Sequence, residues 1–276
     1  MSIPAARRVH AKRTTARSPE TVSALERGVA ILNCFEPARR VLSASDLARL
    51  TDIPRPTARR LAITLASLGL LAHEAEGDRF RLGPRTVSLA RTFLADLDVR
   101  AVARPLMQAL AERFGGSVYL ALRDGASMVI VEACRPRDSM LATRLDVGSR
   151  TPLASSALGR AHLAALDGAA RAATLAQLRR EHGRDWPTLA AGLERALDDA
   201  RQHGYCLSVG EFHPEINSVS VPLVGPEGEV MAFNCGGAAY LFPEARLRGD
   251  VAPGLRAMAG DVARAIAGSV PAGVNE

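Results

Sequence analysis

Residues 43–71, SASDLARLTDIPRPTARRLAITLASLGLL, constrain the fold more than any other segment of the chain. Two amphipathic stretches flank a turn that contains Pro54 and Pro56. Proline fixes φ and lacks an N–H, so it is excluded from a helix interior but is well placed in a first helical turn. The second stretch is therefore predicted to be a helix that begins near Arg55 or Pro56, runs to Ser67 and ends before a glycine.

The stretch before the prolines is predicted to be a shorter helix. Either Ser43 or Ser45 is its N-cap, and Asp46 favours the positive end of the helix. Its predicted buried residues are Leu47, Ala48 and Leu50. Two short helices joined by a tight turn form a helix-turn-helix, which is the reading unit of many DNA-binding proteins.

The second helix has an apolar face and a basic face. The apolar face is predicted to contain Ala58, Leu61, Leu65 and Leu68. The basic face contains Arg55, Arg59 and Arg60, with Thr57 nearer its edge. Arginine forms bidentate hydrogen bonds to guanine edges and to phosphates, so these four residues are predicted to bind DNA. The alternative is an ordinary solvated helix face.

Residues 71–82 are predicted to form a small hairpin with its turn at Gly77 and Asp78. Arg79 and Arg81 alternate on one strand face, where they would contact backbone phosphates or a minor groove. Phe80 and Leu82 are predicted to face the helices. A hairpin directly after a recognition helix is a wing.

A third helix is predicted upstream of the helix-turn-helix. Its apolar residues, predicted to close the small core, are Val22, Leu25, Val29, Leu32 and Phe35. Pro37 is predicted to end this helix. Residues 21–83 thus form a predicted winged helix-turn-helix domain.

The positive charge of the chain lies entirely in its first third. Residues 1–98 contain 16 Lys or Arg and 10 Asp or Glu, whereas residues 99–276 contain 19 of each. Residues 1–20 are predicted to be a disordered basic arm that attracts double-stranded DNA; an unstructured segment without function is the alternative. They lack the apolar core of a signal peptide. Four scattered cysteines favour a reducing cytoplasm.

Residues 84–98 are predicted to be a linker helix. Its apolar residues are too numerous for a helix that stands alone, so we expect it to pair with its copy in a second chain. A break is predicted at Pro105, followed by a second helical run to Phe114. The pairing fits a homodimer or a homotetramer, and the residues leave both open.

Residues 99–270 are predicted to be a separate domain, followed by a tail at 271–276. Hairpins are predicted at 117–133 and 215–237, with helices at 156–166, 169–182, 187–203 and 244–267. This order indicates an α+β domain with an antiparallel sheet and helices on one side. No segment reaches the length of a membrane span.

Several motifs together resemble the IclR family of bacterial transcriptional regulators, close to the subgroup that regulates aromatic-acid catabolism. The motifs are LERGVAILNCFE, IPRPTARRL, FRLGPRTVSLA, VGSRTPLASSALGRAHLA, GYCLSVGEF and INSVSVPLVGPEGEVMAFNCGG. The resemblance covers residues 21–268. It implies a winged helix, a linker helix and a GAF-like or PAS-like effector domain, acting as dimers or pairs of dimers on palindromic operators.

The family's effector pocket lies between the sheet and the loop before the GRAHLA helix. Carried over to this chain, the resemblance nominates Ala157, Leu158, Ser208 or Val209, Ser218, Asn234 and Gly236, with Leu141, Leu153 and Leu207 as apolar walls. Small residues that pack a helix against a sheet are the alternative interpretation. Where glyoxylate- or pyruvate-binding members tend to have Asp and Cys, this chain has Ser208 or Val209 and Ser218, so the effector identity does not carry over.

No catalytic residue, metal ligand or cofactor is predicted. The chain has serines and histidines but no G-x-S-x-G motif, so an enzyme is not expected. Glu211, His213 and two cysteines leave a metal site open as a minor alternative. The predicted function is a regulator whose operator binding is modulated by a small organic acid, and aromatic acids are among the candidates. The alternative is a metabolite-binding or enzymatic domain whose N-terminal part serves assembly only.

Overall fold

The structure is a computed structural model that describes residues 21–74, 76–137, 145–271 and 273. The chain divides into two compact units, one ending at Asp96 and the other beginning at Leu97. The basic arm at 1–20 and the predicted pocket residue Leu141 lie outside the described residues. In the part of the chain that the structure describes, no helix is both long and apolar enough to cross a membrane.

The N-terminal unit is a winged helix-turn-helix, as predicted. Its elements are α1 (Ser23–Leu32), β1 (Leu42–Ser43), α2 (Ala44–Thr51), α3 (Arg55–Ser67), β2 (Leu71–Glu74), β3 (Arg79–Leu82) and α4 (Arg85–Ala95). The strands form an antiparallel sheet in the order β1-β3-β2, of which β1 was not predicted. Ile31, Leu47, Ala58, Ala62 and Phe80 form the fully buried centre of this unit.

The helix-turn-helix begins and turns at residues that local chemistry selects. Ser43, not Ser45, caps α2, and a reciprocal hydrogen bond from Ser43 to the Asp46 carboxylate completes a capping box. The Ser43 hydroxyl bond holds the pKa of Asp46 below its usual value. Asp52 ends α2 in the left-handed conformation, with φ 58°. Pro54 is the N-cap of α3, and Pro56 lies in its first turn.

The prediction for the inward face of α1 is correct for Leu32 and Phe35, which pack against the core, and wrong for the other three residues. Val22, Leu25 and Val29 are 64%, 68% and 47% exposed, whereas Gly28 and Ile31 are buried. The helix is apolar on more than one side. The side that packs against α2 and α3 contains Gly28 and Ile31. α1 also ends at Leu32, several residues before the predicted end at Pro37.

Two other residues of this unit depart from the predicted core. Leu68 is 51% exposed because it follows the last residue of α3, and Ala62 takes the inward position instead. Leu82 is 46% exposed at the end of β3, although it shares a strand face with the buried Phe80.

The predicted break at Pro105 is wrong, because Pro105 lies inside a continuous helix, α5 (Val99–Phe114). The chain is instead interrupted between α4 and α5, at residues 96–98. Pro105 and Ala101, whose carbonyl loses its hydrogen-bond donor, are both exposed. Water can therefore satisfy that carbonyl, and the helix tolerates the proline.

The C-terminal unit is an α+β domain, as predicted. After α5 its elements are β4 (Ser117–Asp124), β5 (Ser127–Cys134), β6 (Arg150–Pro152), α6 (Ala157–Ala165), α7 (Gly168–His182), α8 (Trp186–His203), β7 (Cys206–His213), β8 (Ile216–Val224), β9 (Val230–Ala238), α9 (Glu244–Arg246) and α10 (Ala252–Ala265). The six strands are antiparallel in the order β6-β5-β4-β9-β8-β7. A π-helical turn at Leu247–Val251 interrupts the predicted last helix.

Helices cover both faces of this sheet, which corrects the prediction of one covered side. Successive residues from Val118 to Ala121 in β4 are buried, although neighbouring side chains of a strand point to opposite faces. α6 packs against β8 and β9 and also against α8, while α10 packs against β8 and α5. The two central strands are therefore buried on both sides, and the beginning of α6 lies against the sheet.

Candidate functional site

The first turns of α3 carry a group of exposed cations. Arg55, Arg59 and Arg60 are exposed, and Thr57 is half-buried. Ala58, Ala62 and Leu65 anchor the opposite side of the helix in the core. The second helix of a helix-turn-helix enters the major groove with its N-terminal residues, so this placement fits base and phosphate contacts.

Arg59 is tied to the turn of the wing. Its Nε donates to both carboxylate oxygens of Asp78, over 2.9 Å and 3.2 Å. The hydrogen bond from Arg59 holds the pKa of Asp78 below its usual value. His73 Nε2 lies 3.1 Å from the same carboxylate. Sequence analysis missed this contact because the two partners are 19 residues apart and only the hairpin brings them together.

The wing presents two further cations beside an acid. The side chains of Arg79 and Arg81 are 55% and 60% exposed and lie 3.6 Å and 3.8 Å from the carboxylate of Glu74 on the neighbouring strand. At these distances and exposures the pairs are loose. Both guanidiniums can therefore exchange this acid for a phosphate.

A small cavity lies between the start of α6 and the sheet of the C-terminal unit. Its volume is about 30 Å³. It is lined by Tyr119, Leu145, Thr151, Ser156, Ala157, Leu158, Phe212, Ile216, Ser218, Asn234, Gly236 and Gly237. The lining is mostly apolar with a few polar groups, and no residue in it carries a formal charge.

The start of α6 leaves donors without acceptors at this cavity. The Ser156 hydroxyl caps α6 by accepting from the N–H of Gly159 over 3.1 Å. Among the described residues, the backbone N–H groups of Ala157 and Leu158 have no acceptor. A Cβ on Gly159 would lie 2.1 Å from the carbonyl oxygen of Leu153, so this close approach requires glycine. The helix end is thus pressed against the loop with two N–H groups at the cavity.

Thr151 adds a third unused polar group. It is 2% exposed, and its Oγ1 has no hydrogen-bond partner within the described ranges. An unpaired hydroxyl in such a place costs about 1–3 kcal/mol. Sequence analysis missed Thr151, since a threonine in a three-residue strand carries no distinguishing pattern. Its position in the cavity wall gives a ligand a ready partner.

The structure brings together five of the residues that sequence analysis nominated for the pocket. Those that line the cavity are Ala157, Leu158, Ser218, Asn234 and Gly236. Leu153 is buried in the core behind α6, and Leu207 is buried on β7. Ser208 is 1% exposed and Val209 is 37% exposed, and neither lines the cavity.

Asn234 has little donor capacity left for an anion. Its Nδ2 donates to the carbonyl oxygen of Val219 over 3.2 Å and to the hydroxyl of Ser220 over 2.9 Å. An amide nitrogen has two hydrogens, so both are used. Ser218 lies two residue pairs further along the same two strands, opposite Gly236.

Phe212, which lines the cavity, is held by the residues around it in an irregular part of β7. Its N–H donates to the Ser208 hydroxyl over 3.3 Å, and that hydroxyl donates to the carbonyl oxygen of Ser155 over 2.9 Å. The next residue back, Glu211, forms an ion pair with the buried guanidinium of Arg160 on α6. Phe212 therefore sits on a bulge that is fastened to α6 and to the loop before it.

The residues considered for a metal site have other partners. Glu211 pairs with Arg195 as well as with Arg160, and His213 Nδ1 accepts from the N–H of Glu215 over 3.2 Å. Burial raises the pKa of the Cys206 thiol, and raises that of Cys235 to about 12. Within the described ranges, no group of three or more His, Cys, Asp or Glu is placed to hold a metal ion.

Comparison with known proteins agrees with a DNA-binding N-terminal unit and a separate C-terminal domain. The model of the IclR helix-turn-helix domain matches residues 24–75, and that of the bacterial transcriptional regulator IclR C-terminal domain matches residues 91–264. The HTH-type transcriptional regulator TsaQ1/TsaQ2 of Comamonas testosteroni is 32% identical over 244 residues, which cover 87% of each chain.

Solved structures share the fold over nearly the whole chain. An IclR family transcriptional regulator from Brucella abortus is 38% identical, covering 92% of this chain and 95% of that one, with a TM-score of 0.84. An IclR homolog from Microbacterium hydrocarbonoxydans, complexed with 4-hydroxybenzoate, is 25% identical, covers 89% and 99% of the two chains and has a TM-score of 0.69. The chain therefore belongs to the IclR family of bacterial transcriptional regulators, and it is a DNA-binding regulator, not an enzyme.

Proposed function

We propose that α3 and the wing of this regulator bind a palindromic operator in double-stranded DNA, in the cytoplasm, and that a small aromatic carboxylate in the C-terminal cavity modulates this binding. The observation that carries the DNA contact is the group of three exposed guanidiniums at the start of α3, which the core holds in place from behind. Arg55, Arg59 and Arg60 are assigned to bases and phosphates, and Thr57 to the edge of the contact. Arg79 and Arg81 of the wing are assigned to phosphates.

A double substitution tests the DNA contact. Arg59 and Arg60 changed together to Ala should abolish specific binding to the chain's own upstream intergenic DNA in a mobility-shift titration at fixed salt. The matched control is Arg179 and Arg180 changed together to Ala, since these are also adjacent exposed arginines on a helix, but on α7. Unchanged operator affinity of the first variant would contradict the assignment of α3.

Pairing through α4 is proposed to set the separation of two DNA-reading units. α4 has no buried residue in the part of the chain that the structure describes. Its large apolar residues Val87, Leu89 and Phe93 are 69%, 57% and 53% exposed. An exposed apolar helix face is best covered by its copy, which makes a homodimer the minimal assembly and a tetramer a pair of such dimers.

A charge on this apolar face tests the pairing. Leu89→Glu should convert the assembly to monomers and lower operator affinity, because two half-sites are no longer bound together. Thr92→Glu adds the same charge to the same exposed helix without removing an apolar side chain. The molar mass in solution, measured by light scattering, should fall for the first variant only; equal masses for both would refute pairing through Leu89.

The chemistry of the cavity supports a carboxylate effector. The N–H groups of Ala157 and Leu158 lie at the positive end of α6, where an anion is favoured. The Thr151 hydroxyl and Ser218 add polar partners, while Tyr119, Leu158 and Phe212 supply apolar surface for a ring. The relative from Microbacterium hydrocarbonoxydans was crystallised with 4-hydroxybenzoate, a ligand of this chemical class.

The volume of the cavity indicates how such a ligand would act. A cavity of about 30 Å³ holds one or two water molecules and no aromatic ring. Ligand pockets typically measure about 300–1,000 Å³. An aromatic acid must therefore displace part of the wall, which is only half-buried at Phe212 and Ile216. A ligand that binds only the opened form shifts the population toward it.

Titration with a matched set of compounds tests the effector class. Binding of 4-hydroxybenzoate, benzoate and 4-hydroxybenzamide is measured by calorimetry and compared with their effect on operator binding. The two carboxylates should bind more tightly than the neutral amide, and at least one of them should change operator affinity. Equal affinity for the amide would refute the anion site, whereas binding without any effect on DNA would refute modulation.

A further inference from the structure

The turn of the wing places a carboxylate beside the recognition helix. Gly77 and Asp78 both adopt positive φ, 80° and 46°, which points to a tight turn that holds Asp78 in a fixed position. His73 lies 3.1 Å from its carboxylate and stacks on the fully buried Phe80, with ring centroids 4.6 Å apart. The carboxylate is therefore supported from the core of the domain.

An acid at this place is unfavourable for DNA binding in itself, since phosphates repel it. The pair with Arg59 is partly exposed, with 49% and 29% of the two side chains accessible, so it adds little to the stability of the fold. Removing an acid from a DNA-binding face normally strengthens nonspecific binding. The geometry of the Arg59–Asp78 pair, more than its charge, indicates what the pair does.

A guanidinium has two edges that can pair with two acceptors. One edge combines Nε with a terminal nitrogen, and the other combines the two terminal nitrogens. The single N–H of Arg59 Nε is shared between the two carboxylate oxygens of Asp78. Within the described residues, Nη1 and Nη2 of Arg59 donate no hydrogen bond, so the end-on edge keeps its donors for another partner.

We propose that Asp78 is a specificity-determining positioning residue, which holds Arg59 so that its terminal nitrogens read one guanine end-on through O6 and N7. A guanidinium that is already oriented loses less rotamer freedom on binding, and its planar fork matches the two acceptors of guanine. Specificity at that base pair thus depends on a wing residue that touches no base. The inference rests on the proposed role of α3 in DNA binding.

The test begins with the full-length wild-type protein and a library of random-sequence duplexes. The selected duplex is then made with every single base-pair substitution. Affinities are measured at fixed salt for wild type, Asp78→Asn, Arg59→Ala, Arg59→Lys, the double variant that combines Asp78→Asn with Arg59→Ala, and Asp52→Asn. Asn keeps the size of the side chain and tolerates positive φ. Asp52→Asn is the matched control, because Asp52 is an exposed acid with φ 58° in the same domain.

Asp78→Asn should lose about fivefold or more of the discrimination at one G·C pair, and Arg59→Ala should lose discrimination at the same pair. The double variant should lose no more than Arg59→Ala alone. Asp52→Asn should keep the whole profile and bind all duplexes slightly more tightly. Arg59→Lys, which keeps the charge without the planar fork, should resemble Asp78→Asn.

Two outcomes would overturn the inference while leaving the proposed function intact. In one, Asp78→Asn keeps the wild-type profile at every position; in the other, Asp52→Asn shows the same loss as Asp78→Asn. If the wild-type protein selects no sequence, the proposed DNA contact itself fails, and the inference fails with it. Thermal melting of each variant shows whether the domain remains folded.

Discussion

Arg104 Nη1 donates to Glu132 Oε1 over 2.6 Å, and the Glu132 side chain is only 2% exposed. Arg100 binds the other oxygen of this carboxylate over 3.0 Å. Both arginines belong to α5, whereas Glu132 belongs to β5. The buried acid thus fastens the first half of α5 to the sheet.

Glu132→Gln should lower the free energy of unfolding by about 1.5–3 kcal/mol, because it weakens the hydrogen bonds that a buried carboxylate accepts from two arginines. Urea denaturation of the full-length protein measures this change. Glu112→Gln is the control, since Glu112 is 41% exposed in its pair with Arg137 and should change the free energy by less than about 1 kcal/mol. Equal effects of the two variants would show that burial of the Glu132 carboxylate does not increase its contribution to stability.

Ser43→Ala should destabilise the DNA-binding domain by about 1 kcal/mol, because it removes the hydroxyl that caps α2. Ser45→Ala is the matched control, since Ser45 lies in the first turn, is exposed and accepts no capping bond. Thermal melting of both variants decides the matter. A larger loss for Ser45→Ala would contradict the observed capping box.

Thr151→Val should stabilise the protein and weaken carboxylate binding at the same time. Valine has nearly the shape of threonine without the buried hydroxyl that has no partner in the described structure, so the melting temperature should rise. Loss of one hydrogen bond to a charged ligand should weaken 4-hydroxybenzoate binding by about tenfold. Calorimetry and melting curves test the two effects separately, and a melting temperature that falls would contradict the assignment.

Acidification should destabilise the C-terminal unit through His162. Burial lowers the pKa of His162 from 6.5 to about 4 in the folded protein. Between these values the unfolded chain takes up a proton that the folded chain does not, so stability is complete above pH 6.5 and falls as the pH decreases toward 4. The contribution of this residue is at most about 1.4 kcal/mol per pH unit.

The comparison of two variants isolates this effect from other titrating groups. Urea denaturation from pH 7.5 to 4.5 should show a shallower pH dependence for His162→Asn than for the wild type. His203→Asn, at an exposed position, should keep the wild-type slope. Identical slopes for wild type and His162→Asn would mean that the pKa of His162 is the same in the folded and unfolded chains.

Sequence analysis succeeded where local chemistry decides the structure. Pro54 and Pro56 fix the start of α3, and the Asp124-Gly125 turn fixes a hairpin of the sheet. It failed for part of α1, where two apolar faces obey the same period and only the shape of the neighbouring helices selects Gly28 and Ile31. Hydrophobic periodicity predicts that a helix has an apolar face, but it does not predict which side of the helix packs against the core.

The site residues show the same division. The cations of α3 were predictable, because exposure of a basic helix face follows from its apolar opposite face. Thr151 and the partnership of Asp78 with Arg59 were not, since both depend on chain segments that meet only in the folded domain. The role of a single polar residue of this kind depends on its neighbours in the folded domain, so no sequence pattern predicts it.

The two prolines at the start of α3 also affect how the domain meets its operator. Proline restricts the unfolded chain, so less conformational entropy is lost when the first turn of α3 forms. The Pro54 carbonyl already accepts from the N–H of Ala58 over 2.9 Å, which closes that turn without any ligand. The backbone that carries Arg55 and Arg59 is therefore ordered before DNA arrives, and little of the binding free energy is spent on arranging it.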